Sequence, residues 1–260
     1  MEKIKHENIG SLTFEEFRER FSTGEGILGQ RIATREPIYL APNETAISEG
    51  FKVLNRFRQG HANGTVDFYG IVCGVDLALS YIAAINPQTA VLTDINEAAL
   101  DYLALRLDLF RRARDKDGYF DLLKIQNPKA IKRLLEYVSS LNEQDFRHLW
   151  FCDQKKDGQK KFELLKDMAE EGRIKAFQSD YYCRGKDVIA SLVGQQMPDA
   201  AVFYLSDIRS VPTNTGKSDS PLKEKLKELG VPSLFIEHDV GRGTYAYKIV
   251  PSVSLTAHNI

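Results

Sequence analysis

From Val66 onward the chain alternates short runs of β-branched and aromatic residues with longer helix-like runs, and this alternation restricts the folds open to it. VDFYGIVCG reads as a buried strand running into a tight turn, LALSYIAAI as a helix, and TAVLTDIN after Pro87 as a second strand. EAALDYLALRLDLFRRAR is the strongest helix, rich in Leu and Ala with basic residues in its last turn. Strand, helix, strand and helix in this order predict a parallel sheet, because each strand is carried back to the same edge by a crossover. The alternation resumes with RIKAFQSDYYC, KDVIASLVGQQ, DAAVFYLSDIR, PLKEKLKELG and PSLFIEHDV, and TYAYKIV after VGRG predicts an antiparallel hairpin at the sheet edge. The fold class is therefore α/β, a doubly wound, mostly parallel sheet of Rossmann-like type with helices on both faces.

Residues 1–44 lack clear periodicity and read as an irregular lead-in with one short helix, TFEEFRERF. The α/β domain is expected over 45–260, opening with AISEGFKVLNRFR, where Ile47, Phe51, Leu54 and Phe57 share one helical face. Within it, about 115–171 carries the helical patterns AIKRLLEYVSSL and KKFELLKDMAEE and no strand, so it reads as a helical insertion that shapes a substrate pocket or docks a protein partner.

The 35 basic and 36 acidic side chains leave a net charge of -1, which provides no global field to gather nucleic acid or anionic lipid. The densest basic stretch, Lys155, Lys156, Lys160 and Lys161, is interleaved with Asp153, Asp157 and Glu163 and reads as a solvated face. Cys73, Cys152 and Cys183 are too scattered for a disulfide framework or a metal site, so a reducing cytoplasm fits and no metal is expected. No apolar run approaches the roughly 18 residues of a membrane span, and MEKIKHENIGSLTFEEF has no signal-peptide core.

In a doubly wound sheet, ligands bind outside the carboxyl ends of the strands. Four such ends carry suggestive residues: Gly70 to Asp76, Asp94 with Ile95, Asp180 with Tyr181 and Tyr182, and Ser206 with Asp207. An acid at the second strand end can accept hydrogen bonds from both ribose hydroxyls of a nucleoside; the competing role for Asp94 is a helix cap, which Asn96 could also fill. Gly70 and Gly74 would let backbone approach a ligand, although YGIVCGVD lacks the G-x-G-x-x-G fingerprint, and no P-loop occurs. Asp180 could accept from an adenine amino group, with Tyr181 or Tyr182 stacking on the ring; its competing role is a helix cap before KDVIASL. Asp207, Glu44, His238 and Tyr204 are the candidates for facing a reacting centre.

NETAISEGF, followed by YGIVCGVDLALSYIAAINPQTAVLTDIN and LALRLDLF, resembles the class I S-adenosylmethionine-dependent methyltransferases and, within them, a poorly characterised bacterial branch, from about Ile47 to the C-terminus. That branch has an Asn-Glu pair before the first helix, a Gly-rich turn and an acidic strand end. The resemblance implies S-adenosyl-L-methionine as cofactor, with Asn43 and Glu44 at its mouth, Gly70 and Gly74 at the methionine-side turn, Asp94 at the ribose and Asp180 near adenine. YLSDIR stands where amino-methylating enzymes carry Asn-Pro-Pro-Tyr, so methylation of adenine or another exocyclic amine loses support. The acceptor expected is a small molecule, or else a protein. Two alternatives remain: an NAD(P)-binding Rossmann oxidoreductase, and a catalytically inactive methyltransferase-like domain that binds another protein.

Overall fold

The computed structural model describes residues 42, 44, 46–72, 74–94, 96–152, 157–178, 189, 193, 197–206, 220–239 and 243–249. Several sequence expectations fall outside this set: the helix TFEEFRERF, most of KDVIASLVGQQ, and Asn43, Cys73, Ile95, Asp180, Tyr181, Tyr182, Cys183 and Asp207, together with the side chains of Ser206 and His238.

Helix α1 (Ile47–Gly60) leads into β1 (Val66–Ile71), α2 (Val75–Ile85), β2 (Ala90–Asp94) and α3 (Glu97–Arg112). Four helices follow, α4 (Lys116–Gln126), α5 (Pro128–Ser140), α6 (Glu143–Phe146) and α7 (Asp157–Glu170). The chain then returns to β3 (Ile174–Gln178), β4 (Ala200–Ser206), α8 (Ser220–Glu228) and the hairpin β5 (Ser233–Asp239) and β6 (Gly243–Ile249). The strand order is β3-β2-β1-β4-β5-β6, with every pair parallel except β5 and β6. This is a mostly parallel, Rossmann-like α/β fold with an antiparallel edge strand.

The sheet grows from β1 toward β3 and then restarts on the other side with β4. Right-handed crossovers put the helices of those two halves on opposite faces, and the burial pattern follows. Phe68, Leu92, Ala176, Val202 and Ile236 face a large core shared with α1, α2, α3 and α7. Tyr69, Val91, Phe203 and Phe235 alternate to a smaller core with Ile189, Val193, Leu222 and Leu226.

Short polar side chains start the middle helices. Asn96, Asp115, Asn127 and Asn142 each accept a hydrogen bond from a backbone amide in the first turn of α3, α4, α5 and α6. Helix α1 has no such residue, and Ala46 before it is left-handed at φ 55°. Its N-terminus is capped from far along the chain: Asp145 accepts from Ala46 N at 3.1 Å and from Ser48 N at 2.8 Å. Among the described residues no helix is long and apolar enough to cross a membrane.

Candidate functional site

The strand order reverses between β1 and β4, where the loops leaving the two strands diverge. Gly74 stands at the head of α2 on this edge with φ 69°, a conformation that costs a residue with a Cβ. The segment before α1 lies against it: a Cβ on Gly74 would meet Glu44 Oε2 and Pro42 Cα, both at 3.3 Å. Gly70 sits elsewhere than the sequence suggested. It lies inside β1, paired with Leu92 and Tyr204, and not in the turn. Its missing side chain makes room for the Phe68 ring, which a Cβ would meet at 2.9 Å, so its small size serves packing.

Glu44 is fully buried. Its Oε1 accepts from the Tyr204 hydroxyl at 2.6 Å, and its carbonyl accepts from the Tyr137 hydroxyl at 3.1 Å. Residues from the lead-in, β4 and α5 thus meet over the turn that follows β1. Tyr81 of α2 packs between Phe51, ring centroids 4.4 Å apart, and Tyr204, 5.1 Å apart. Burial, reinforced by the negative charge of Glu44, pushes the phenols of Tyr81 and Tyr137 far up. They are neutral hydroxyls at physiological pH, suited to hydrogen bonding and not to proton abstraction.

Asp94 is partly exposed at the end of β2, one strand over from the turn. The Val72 amide donates to the Thr93 carbonyl at 3.0 Å, so the turn after β1 begins beside the end of β2. Asp94 Oδ1 accepts from Asn96 N at 2.8 Å, while Asn96 Oδ1 caps α3 by accepting from Ala98 N at 3.0 Å. The cap of α3 is therefore the work of Asn96. Ser206 pairs with His238 at the ends of β4 and β5 on the same edge.

One network was not anticipated. Asp76, in the first turn of α2, forms a two-pronged ion pair with Arg106 of α3, including Arg106 Nη1 to Asp76 Oδ2 at 3.0 Å. Both side chains are fully buried. Arg106 also donates to the Tyr102 hydroxyl at 2.6 Å and to that of Tyr119. Trp150 donates from Nε1 to Asp76 at 3.1 Å and from its amide to Ser80 Oγ at 2.9 Å. The residues after α6 are thereby tied to the helix that carries the turn. The sequence signal was present: Asp76 and Arg106 each interrupt an otherwise apolar helix face.

No family model matches the chain. No curated protein matches it either. Two solved structures of the rRNA methyltransferase aviRa from Streptomyces viridochromogenes are similar to it, one at 14% identity over 80% of this chain and 88% of that one, the other at 13% over 85% of each. Both have a TM-score of 0.40, too slight a likeness to bear on chemistry, and the fold stands on the strand order above. Among the described residues no group of three or more His, Cys, Asp or Glu side chains is arranged to hold a metal ion.

Proposed function

We propose that the chain is a cytoplasmic S-adenosylmethionine-dependent methyltransferase acting on a small molecule, or on a protein. The observation that carries this reading is Asp94: an acid at the carboxyl end of β2, beside the turn after β1, whose alternative duty as the cap of α3 is done by Asn96. An acid there suits the two ribose hydroxyls of a nucleoside, since a carboxylate has acceptor sites for both. Gly74 fits the same reading as the left-handed residue of the turn after β1 at the switch point, with the buried Glu44 packed against it.

When bound, S-adenosylmethionine supplies a methyl group already activated on a sulfonium, so the protein's work is to align the acceptor and exclude water. Asp94 would hold the ribose and the Gly74 turn the methionine end. Glu44, buried at that turn, would orient the acceptor or take up its proton, and Asp207 just after β4 is the other candidate for that role. The even charge balance favours a small acceptor over nucleic acid.

Calorimetric titration with S-adenosylhomocysteine and, separately, with NAD tests this. Saturable 1:1 binding of S-adenosylhomocysteine alone is the expected result. Binding of NAD alone would select the oxidoreductase reading, and binding of neither would leave a protein-interaction domain.

A further inference from the structure

Helices α3, α4, α5 and α6 are capped by a side chain at their own N-terminus, whereas α1 and α2 are not. Both of these start from a left-handed residue, Ala46 at φ 55° and Gly74 at φ 69°, with no side-chain capping bond. For Ala46 that backbone is unfavourable, because its Cβ crowds the following carbonyl, and it persists only where the surroundings hold it. The two helix starts lie together: Pro42 and Glu44, just ahead of α1, pack against Gly74. The support that the local sequence lacks at these two points comes from the helical insertion.

Three of its side chains make the connections. Asp145 of α6 accepts from Ala46 N at 3.1 Å and from Ser48 N at 2.8 Å, which closes the first turn of α1. Tyr137 of α5 donates to the Glu44 carbonyl at 3.1 Å and fixes the chain just before that turn. Trp150, after α6, donates from Nε1 to Asp76 Oδ1 at 3.1 Å and from its amide to Ser80 Oγ at 2.9 Å. Ser80 Oγ in turn donates to the Asp76 carbonyl at 2.6 Å, so the first turn of α2 is held through both side chain and backbone. The anchors are themselves fixed. Trp150 packs on Phe110 of α3 and on Tyr119 and Phe120 of α4, with ring centroids 5.1, 5.2 and 5.6 Å away, and Asn142 donates to Asp145 at 2.8 Å.

We propose that the insertion is a brace for the turn after β1, with Tyr137, Asp145 and Trp150 as positioning residues that hold the chain on both sides of Gly74. They touch neither cofactor nor acceptor; they set the backbone around which those ligands bind. A displacement of about 1 Å caused far from the reacting atoms can cost roughly a hundredfold in rate, so support of this kind bears directly on function. The inference rests on the transferase reading only in making S-adenosylmethionine the ligand of that turn; the bracing itself is independent of it.

Tyr137→Phe and Trp150→Phe each delete one donor and keep an aromatic ring. Val231→Ala, in the core on the opposite face of the sheet, is the control for lowered stability remote from the brace. Melting is followed by circular dichroism, S-adenosylhomocysteine affinity by calorimetry well below the melt, and amide hydrogen exchange by NMR, all on the full chain. Leu77 N, bonded to the Gly74 carbonyl at 2.8 Å, reports on the start of α2, and Ser48 N on the start of α1. Phe235 and Ile236 of β5, paired within the sheet, report on the whole domain. Exchange is expected to quicken at Leu77 in Trp150→Phe and at Ser48 in Tyr137→Phe, by roughly threefold to tenfold beyond any change at Phe235 and Ile236. Affinity is expected to fall by a similar factor in both variants, the factor that one lost hydrogen bond carries. Val231→Ala should melt lower and bind as the natural protein does.

Variants that melt lower, exchange faster at every amide alike and bind S-adenosylhomocysteine unchanged overturn the proposal, since the contacts then serve stability alone. Where S-adenosylhomocysteine binds, local acceleration at Leu77 and Ser48 with unchanged affinity also overturns it. If the natural protein binds no S-adenosylhomocysteine, the transferase reading falls; acceleration confined to Leu77 and Ser48 then upholds the brace, and its absence removes the brace as well.

Discussion

Asp94 and Asn96 lie two residues apart at the start of α3, and the two roles assigned to them separate under substitution. Asn96→Ala removes the side-chain acceptor that caps the helix through Ala98 N at 3.0 Å. Loss of such a cap costs about 0.5–2 kcal/mol. In a domain of this size each kcal/mol moves the melting temperature by roughly 2–4 °C. Asp94→Ala removes, among its contacts, the bond from Asn96 N at 2.8 Å to a partly exposed carboxylate, and the loss of that bond costs about 0.5–1.5 kcal/mol. On the proposed function it also removes the acceptor of two ribose hydroxyls, each worth about 1.5–3 kcal/mol to a charged group and not strictly additive. Since about 1.4 kcal/mol is a factor of ten, Asp94→Ala should lose at least roughly tenfold in S-adenosylhomocysteine affinity, and Asn96→Ala almost none. The assay is a binding isotherm on each variant beside a melting curve. Trp150, the chain's single tryptophan and fully buried, provides an intrinsic fluorescence signal for the melt. Two variants with equal losses of stability and unchanged affinity would refute the ribose assignment and leave Asp94 as a turn residue.

Arg106→Ala leaves the Asp76 carboxylate buried without its counter-charge and should cost about 3–5 kcal/mol, read from urea denaturation followed by Trp150 fluorescence. A cost below about 1 kcal/mol would mean that the pair contributes little. Gly74→Ala forces a Cβ into a left-handed position against Pro42 and Glu44 and should destabilise by about 1–2 kcal/mol from the backbone alone, while also lowering S-adenosylhomocysteine affinity. For pH, burial holds the folded-state pKa of His148 below its unfolded value of about 6.5. The unfolded chain therefore binds the proton more readily, and this contribution is intact above about pH 6.5 and declines as pH falls toward the folded pKa. Half exposure keeps the slope shallow. Melting curves between pH 7.5 and 5 should fall less steeply for His148→Gln than for the natural protein; equal slopes would remove His148 from the acid response.

Local patterns carried most of the fold. Short apolar runs rich in β-branched and aromatic residues marked the strands, and the apolar spacing of Ile47, Phe51, Leu54 and Phe57 marked the buried face of α1. The alternation then required a parallel sheet, and VGRG between two strand-like runs marked the hairpin of β5 and β6. These features are legible because they depend on residues close in sequence. The helix at Lys116–Gln126 was missed: its Gly118 and its acidic, aromatic start weaken the local signal, and burial of Tyr119 and Leu123 supplies what propensity does not.

The candidate site was legible only residue by residue. Glu44, Asp94 and Gly74 could be singled out by position, but nothing local joins Glu44 to Tyr204 across 160 residues, or Asp145 to the start of α1 across 97. Gly70 was misplaced into the turn because a glycine near a strand end looks the same whether it frees a loop or makes room for a ring, and only the neighbouring Phe68 and Leu92 decide which. The sequence by itself determined the order and kind of the elements, since those follow from backbone propensity and the periodicity of apolar side chains. The tertiary structure decided which polar groups are buried together, because the cost of burying Glu44, Asp76 or Arg106 is met by partners that lie far away along the chain and near only in space.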